Sequence, residues 1–184
     1  MPRNIRKPSP LNPQQLEELA LAYVARFATT RAKLEAYLAR KLRERGWDAA
    51  REPDAAGLAA RFAEAGYVDD AAFARMKADS LLRRGYGARR VGEALRAAGV
   101  EEAIRAEAAP ARSGALGAAL ALARRRKFGP WGAAPLDRAR REKQIAAMLR
   151  AGHPLDMARR MVEAASPEEA EAWVESAAGD ETCD

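Results

Sequence analysis

The sequence predicts an all-α protein built of tandem helical units, and three observations carry that prediction. Ala, Leu, Arg and Glu dominate, β-branched residues are few and aromatics reach only 6%, a usage that favours helix over sheet. Apolar residues recur at three- and four-residue spacing through most of the chain, the period of an amphipathic helix. Beneath both runs a weak repeat. Leu42 to Gly46, Leu95 to Gly99 and Met148 to Gly152 each place an apolar residue four before a glycine, the glycines stand 53 residues apart, and Ile104 pairs with Met157 at the same offset. A constant period of this size marks one supersecondary unit used repeatedly.

The elements follow in order from stripes and stops. Residues 1–13 form a basic, proline-rich arm with Arg3, Arg6 and Lys7 and no acid in its first ten positions. The first unit, 14–68, shows three stripes: Leu16, Leu19, Tyr23 and Phe27; Leu34, Leu38 and Leu42; Leu58 and Phe62. The second, 69–112, carries Phe73, Met76 and Leu81, then Val91 and Leu95, then a short helix around Ile104. The third, 113–165, carries Leu116 and Leu120, breaks into a loop at Gly129-Pro130-Trp131-Gly132, and resumes with Ile145 and Met148. Gly46, Gly66, Gly85, Gly99 and Gly152 follow helical runs, where a residue without Cβ ends a helix at least cost. Thr29 or Thr30, Asp69 or Asp70, and Ser166 ahead of Pro167 stand at N-cap positions. Residues 166–184 read as an acidic tail with a helical segment around Trp173, dispensable for folding and disordered beyond Gly179.

Charge is uneven along the chain. The net charge is +6 and the pI near 9.8, but residues 163–184 hold eight acids and no base. With three bases and no acid in the first ten residues, the span between carries +11, which suits a polyanionic partner or a protein that sits on one. Cys183 is the single cysteine, so a disulfide framework and a Cys-based zinc site are excluded. The N-terminus lacks an apolar signal core, and the longest uncharged stretch, Ser113 to Ala123, falls short of the roughly 20 residues of a membrane helix. A soluble, cytoplasmic protein is expected.

Catalytic chemistry finds few residues to use. His153 is the single histidine and reads as a half-buried ring after Gly152 rather than the centre of a relay. Gly85-Tyr86-Gly87 lacks the third glycine and preceding strand of a dinucleotide site. Asp69-Asp70 ahead of Phe73 reads as a helix start, where negative charge meets the dipole, rather than as metal ligands. No cofactor or metal is expected. Arginine and lysine remain as candidate contacts: Arg40, Lys41 and Arg43 in the first unit, Arg89, Arg90 and Arg96 in the second, Arg124-Arg125-Arg126-Lys127 and Lys143 in the third. Arg43 and Arg96 share one repeat station, Arg90 and Lys143 another, so an array presents cations periodically to a polyanion or an acidic groove. Each is also an ordinary solvent-facing residue of an Ala-rich helix. Few aromatics interleave with them in the chain, which argues against base stacking as the main mode of binding.

Motifs add a resemblance over about residues 15–165. Gly66-Tyr67-Val68-Asp69-Asp70-Ala71-Ala72-Phe73-Ala74 resembles the glycine-tyrosine-aliphatic-aspartate-aspartate signature of the RecX regulators of the RecA recombinase. Arg84-Gly85-Tyr86-Gly87-Ala88-Arg89-Arg90-Val91 with Leu95 and Gly99-Val100 is similar to the family's second block. Thr30 to Gly46, Ala119 to Phe128 and Lys143 to Gly152 agree in order and spacing with weaker blocks, while His153 and the acidic tail depart from the pattern. The resemblance implies three tandem three-helix repeats in an elongated, curved body. It also implies a monomeric, non-enzymatic regulator that binds the RecA filament and DNA, restraining ATP hydrolysis, strand exchange and the SOS response, with no catalytic residues to carry over. The signature residues look structural: Tyr67, Phe73 and Leu95 as core, Asp69 or Asp70 as caps, Gly85 and Gly87 as turn formers. Two other readings stay open, a helix-turn-helix transcription regulator and a general nucleic-acid chaperone.

Overall fold

A computed structural model describes residues 9–133 and 136–179; the expectations for Arg3, Arg6, Lys7, Cys183 and the chain beyond Gly179 fall outside the described residues. The protein is all-α. Its helices are α1 (Pro13–Val24), α2 (Arg31–Arg45), α3 (Ala55–Glu64), α4 (Asp70–Arg83), α5 (Ala88–Ala97), α6 (Glu102–Glu107), α7 (Arg112–Arg126), α8 (Arg138–Ala151), α9 (Leu155–Glu163) and α10 (Pro167–Gly179). The break expected after Phe128 is a 3-10 turn, Gly129–Trp131. By packing, the chain forms two compact units: Met1–Phe73 with Ala98–Glu101, and Ala74–Ala97 with Glu102–Asp184.

In the first unit, α1 starts at a reciprocal cap in which Asn12 accepts from the Gln15 amide and the Gln15 side chain accepts from the Asn12 amide, so two otherwise orphaned donors are satisfied. Thr30, not Thr29, caps α2 by accepting from the Lys33 amide at 3.2 Å. Its hydroxyl also donates to the Ala98 carbonyl at 2.6 Å, which satisfies a fully buried side chain. Leu11, Leu16, Leu34, Leu38, Leu58, Phe62 and Val68 make the core. Leu11 is drawn in by a two-way backbone pairing, donating to Gly46 and accepting from Asp48.

Two aromatics expected in apolar positions here are not buried. Tyr67 is 59% exposed. The chain turns at Gly66 with φ +78°, the amides of Tyr67 and Val68 both donate to Phe62, and it is Val68 that enters the core, leaving the Tyr67 ring against the rim of Phe62 at 5.3 Å. Phe27 is 53% exposed because α1 ends three residues earlier, at Val24.

Apolar small residues decide the faces of the second unit. On the part of α4 that belongs to it, the buried set is Ala74, Ala78 and Leu81, and Met76 is 49% exposed: at about 100° per residue it projects opposite the face that the alanines complete. Val91 and Leu95 are buried, as the stripe on α5 predicts. Leu116, Ala119, Met148, Met161 and Val162 form a core that includes Ala170 and Ala177 of α10.

The acidic segment is therefore not a detached tail over its helical length. Trp173 and Val174 pack against the same core, the Arg160 guanidinium lies 5.0 Å from the Trp173 ring centroid, and Glu171 pairs with Arg124 at 2.5 Å. The charge count hid this docking, because α10 buries alanines, not a large apolar stripe.

Two stability measurements follow. Leu95→Ala, at a site 1% exposed, should cost about 2–5 kcal/mol in a urea melt, the range for a core leucine; below about 1 kcal/mol the α5 register is wrong. Truncation after Ser166 should lower stability by at least about 2 kcal/mol through the apolar area that α10 covers, and an unchanged midpoint would show that α10 adds nothing.

Candidate functional site

All the candidate cations are exposed except Lys41, which is partly buried, but they fall into two classes. Some are spoken for within their own unit. Arg40 and Lys41 flank Glu44 at 3.6 and 2.7 Å, and Arg90 contacts Glu93 at 3.2 Å. Arg89 is held twice, by Glu93 at 2.7 Å and through Nη2 to the Leu149 carbonyl at 2.7 Å. Arg124 meets Glu171, Arg125 donates to the Arg84 carbonyl at 2.6 Å, and Arg126 sits 5.9 Å from the Phe128 ring centroid. The other class is Arg43, Arg96, Lys127 and Lys143, whose side chains make no hydrogen bond or ion pair among the described residues. Lys127 caps α7 in a left-handed conformation, φ +54°.

The two adjacent aspartates of the signature serve two different helices. Asp69 caps α4, its Oδ1 accepting from the Ala72 amide at 2.8 Å. Asp70 reaches the start of α2 instead, accepting from the Arg31 amide at 2.8 Å. Both carboxylates thus lie where helix N-termini favour negative charge. Among the described residues no group of three or more His, Cys, Asp or Glu side chains is placed to hold a metal. Phe73 is buried with the Lys33 ammonium 4.9 Å from its ring centroid. Gly99 lies over Ala32, whose Cβ would overlap any side chain there.

Gly85-Tyr86-Gly87 and Gly152-His153 meet backbone to backbone in the second unit. Gly87 donates to Ala151 at 2.9 Å and Arg89 to Gly152 at 3.3 Å. A Cβ on Gly87 would overlap the Gly152 carbonyl, and one on Gly152, where φ is +98°, would come within 2.6 Å of the Arg90 amide nitrogen. Glycine at both turns permits this approach. Tyr86 is partly buried beneath the Arg84 guanidinium, 5.2 Å from its ring centroid.

His153 closes this seam and is buried rather than half-buried, 3% exposed, with Nε2 3.0 Å from the Gly85 carbonyl. A carbonyl only accepts, so Nε2 carries the proton in the neutral ring. Nδ1 is buried and has no hydrogen-bond partner among the described residues. Burial lowers the pKa of the ring and the Gly85 hydrogen bond opposes it in part. Among the described residues no nucleophile or carboxylate hydrogen-bonds His153, and its bond to the Gly85 carbonyl ties the two turns together as a clasp. Sequence reasoning missed the pairing of the two glycine turns and the Arg89–Leu149 contact; their signal was a glycine turn at Gly85-Tyr86-Gly87 just ahead of the arginine-bearing helix α5 and another at Gly152 just after α8.

A family model described as RecX, second three-helix domain, matches residues 69–108. The regulatory protein RecX of Myxococcus xanthus (strain DK1622) is 30% identical over 173 residues, which cover 88% of this chain and 91% of the relative. The regulatory protein RecX of Mycobacterium sp. (strain KMS) is 39% identical over 98 residues, 53% of this chain and 52% of that one. A crystal structure of RecX from Lactobacillus salivarius matches with a TM-score of 0.66 and 16% identity, over 82% of this chain and 94% of that chain, a likeness of fold.

The clasp makes a pH prediction. With the folded pKa of His153 below its ordinary value near 6.5, both states are neutral above that value and pH has no effect through this group. As pH falls below about 6.5 the unfolded chain takes up a proton that the folded chain refuses, so stability declines until the folded pKa is reached. Urea midpoints between about pH 7.5 and 5.5 should fall for the natural protein and flatten in His153→Gln; equal slopes would remove His153 as the cause.

Proposed function

The chain belongs to the RecX family, and from that premise we propose that it is a non-catalytic, monomeric, cytoplasmic regulator. In this reading it binds the RecA filament on DNA and restrains RecA's ATPase, strand exchange and SOS coprotease activity. The observation that carries the proposal is the relationship to a RecX regulatory protein over 91% of that relative's length. The division into three repeats, 14–68, 69–112 and 113–165, belongs to the same proposal.

Arg43, Arg96, Lys127 and Lys143 support it as contact groups, being exposed cations with no hydrogen bond or ion pair among the described residues. Arg89 is a poor choice for testing contact, since its Nη2 also holds the Leu149 carbonyl and reversal of its charge disturbs the clasp.

RecA ATPase on single-stranded DNA should fall as the natural protein is added. Each exposed cation contributes roughly 0.2–1 kcal/mol and separated sites add. The combined Arg43→Glu, Arg96→Glu, Lys127→Glu variant, with helicity retained, should therefore need about 3- to 100-fold more protein for the same inhibition, and each single change far less. If the folded triple variant inhibits as well as the natural protein, these cations are a solvated surface. If the natural protein neither binds the filament nor slows its ATPase, the functional reading is wrong.

A further inference from the structure

The first unit holds an aromatic cluster that the function proposed above leaves unused. Tyr23, near the end of α1, and Tyr37, in the middle of α2, stack with centroids 4.3 Å apart and 17° between planes. Phe27 lies against Tyr23 at 5.4 Å. The two tyrosines are partly buried against the core, while Phe27 leaves half its surface in water. Phe27 is fixed all the same, its amide donating to the Tyr23 carbonyl at 3.1 Å.

Cations surround these rings. The Arg26 guanidinium lies 5.7 Å from the Phe27 centroid, and Arg40 and Lys41 lie 5.6 and 5.9 Å from that of Tyr37. Glu44 pairs with Arg40 and Lys41, so one carboxylate stands against two of the three cations and the cluster stays positive. The rings and cations are spread over residues 23–41, and only the packing of α1 on α2 brings them to one place.

We propose that Phe27, backed by the Tyr23–Tyr37 stack, is a platform for one unpaired base of a single-stranded nucleic acid, with Arg26, Arg40 and Lys41 taking the flanking phosphates. An exposed aromatic face beside guanidinium groups fits a planar base next to an anionic backbone. An acidic peptide answers the charge but offers no π-face to Phe27, and a duplex keeps its bases stacked inside. The proposal rests on the reading of a DNA-associated regulator for the presence of the strand, and adds to it a base contact.

The test compares fluorescence anisotropy of a labelled oligothymidylate with that of an abasic strand of equal length and charge, using the full chain. The natural protein should bind the base-bearing strand on the order of fivefold more tightly, the lower end of one aromatic–base stack. Phe27→Ala and Phe27→Leu should lose that preference without changing abasic binding, and Phe27→Trp should keep it. Leucine retains apolar bulk, so it separates a lost π-face from a damaged turn.

Equal binding of both strands by the natural protein overturns the proposal, as does a preference retained in folded Phe27→Leu. Binding of a polyglutamate peptide that Phe27→Ala weakens, with no base preference, overturns it in favour of a protein partner. The RecA ATPase assay keeps the two readings apart. Inhibition that persists without any base preference strikes this site alone, whereas a base preference without inhibition sustains the site and strikes the regulatory function.

Discussion

Helices of 6 to 15 residues are marginal in water by themselves, so every element of this protein depends on an apolar face covered by a neighbour and on helix ends whose polar groups are answered. The second requirement explains much of the sequence. Asn12, Thr30, Asp54, Asp69, Asp137 and Ser166 each accept a backbone amide in a first helical turn, and Asp70 does so for a helix other than its own. Thr30 both caps α2 and donates to Ala98. A short helix of this kind is held at its ends as much as along its face, and those ends are where the RecX signature residues concentrate.

Where two turns meet without side chains between them, the tolerance is smallest. The Gly87 and Gly152 turns pass so closely that a methyl group on either meets backbone. His153 and Arg89 then bind the carbonyls left nearby. Burial disfavours the charged imidazole at this place and the Gly85 carbonyl offsets that in part.

The same economy sorts the arginines. Those that meet a carbonyl or a carboxylate inside the unit, such as Arg89, Arg124 and Arg125, stabilise it, and their positive charge is partly used. Arg43, Arg96, Lys127 and Lys143 form no hydrogen bond or ion pair among the described residues. A basic count alone cannot make that distinction, because an ion pair between helices joins residues far apart in sequence, as Arg124 and Glu171 are.

By itself the sequence determined the all-α class, the helix stops at Gly46, Gly66, Gly85, Gly99 and Gly152, all with positive φ, the short third helix around Ile104, and the kinship carried by Gly66 to Ala74. These are local matters, set by spacing, caps and the absence of a Cβ. Tertiary structure alone decided which apolar residues go inside. Val68 displaced Tyr67 after the Gly66 turn, alanines turned α4 so that Met76 faced water, and Ala170 and Ala177 docked a segment that its charges had marked as a tail. It also decided which candidate cations are paired among the described residues and gathered Tyr23, Phe27 and Tyr37 beneath Arg26, Arg40 and Lys41. The reason is common to all of these: periodicity reports that a face is apolar, but only the neighbour that covers it fixes where the face ends.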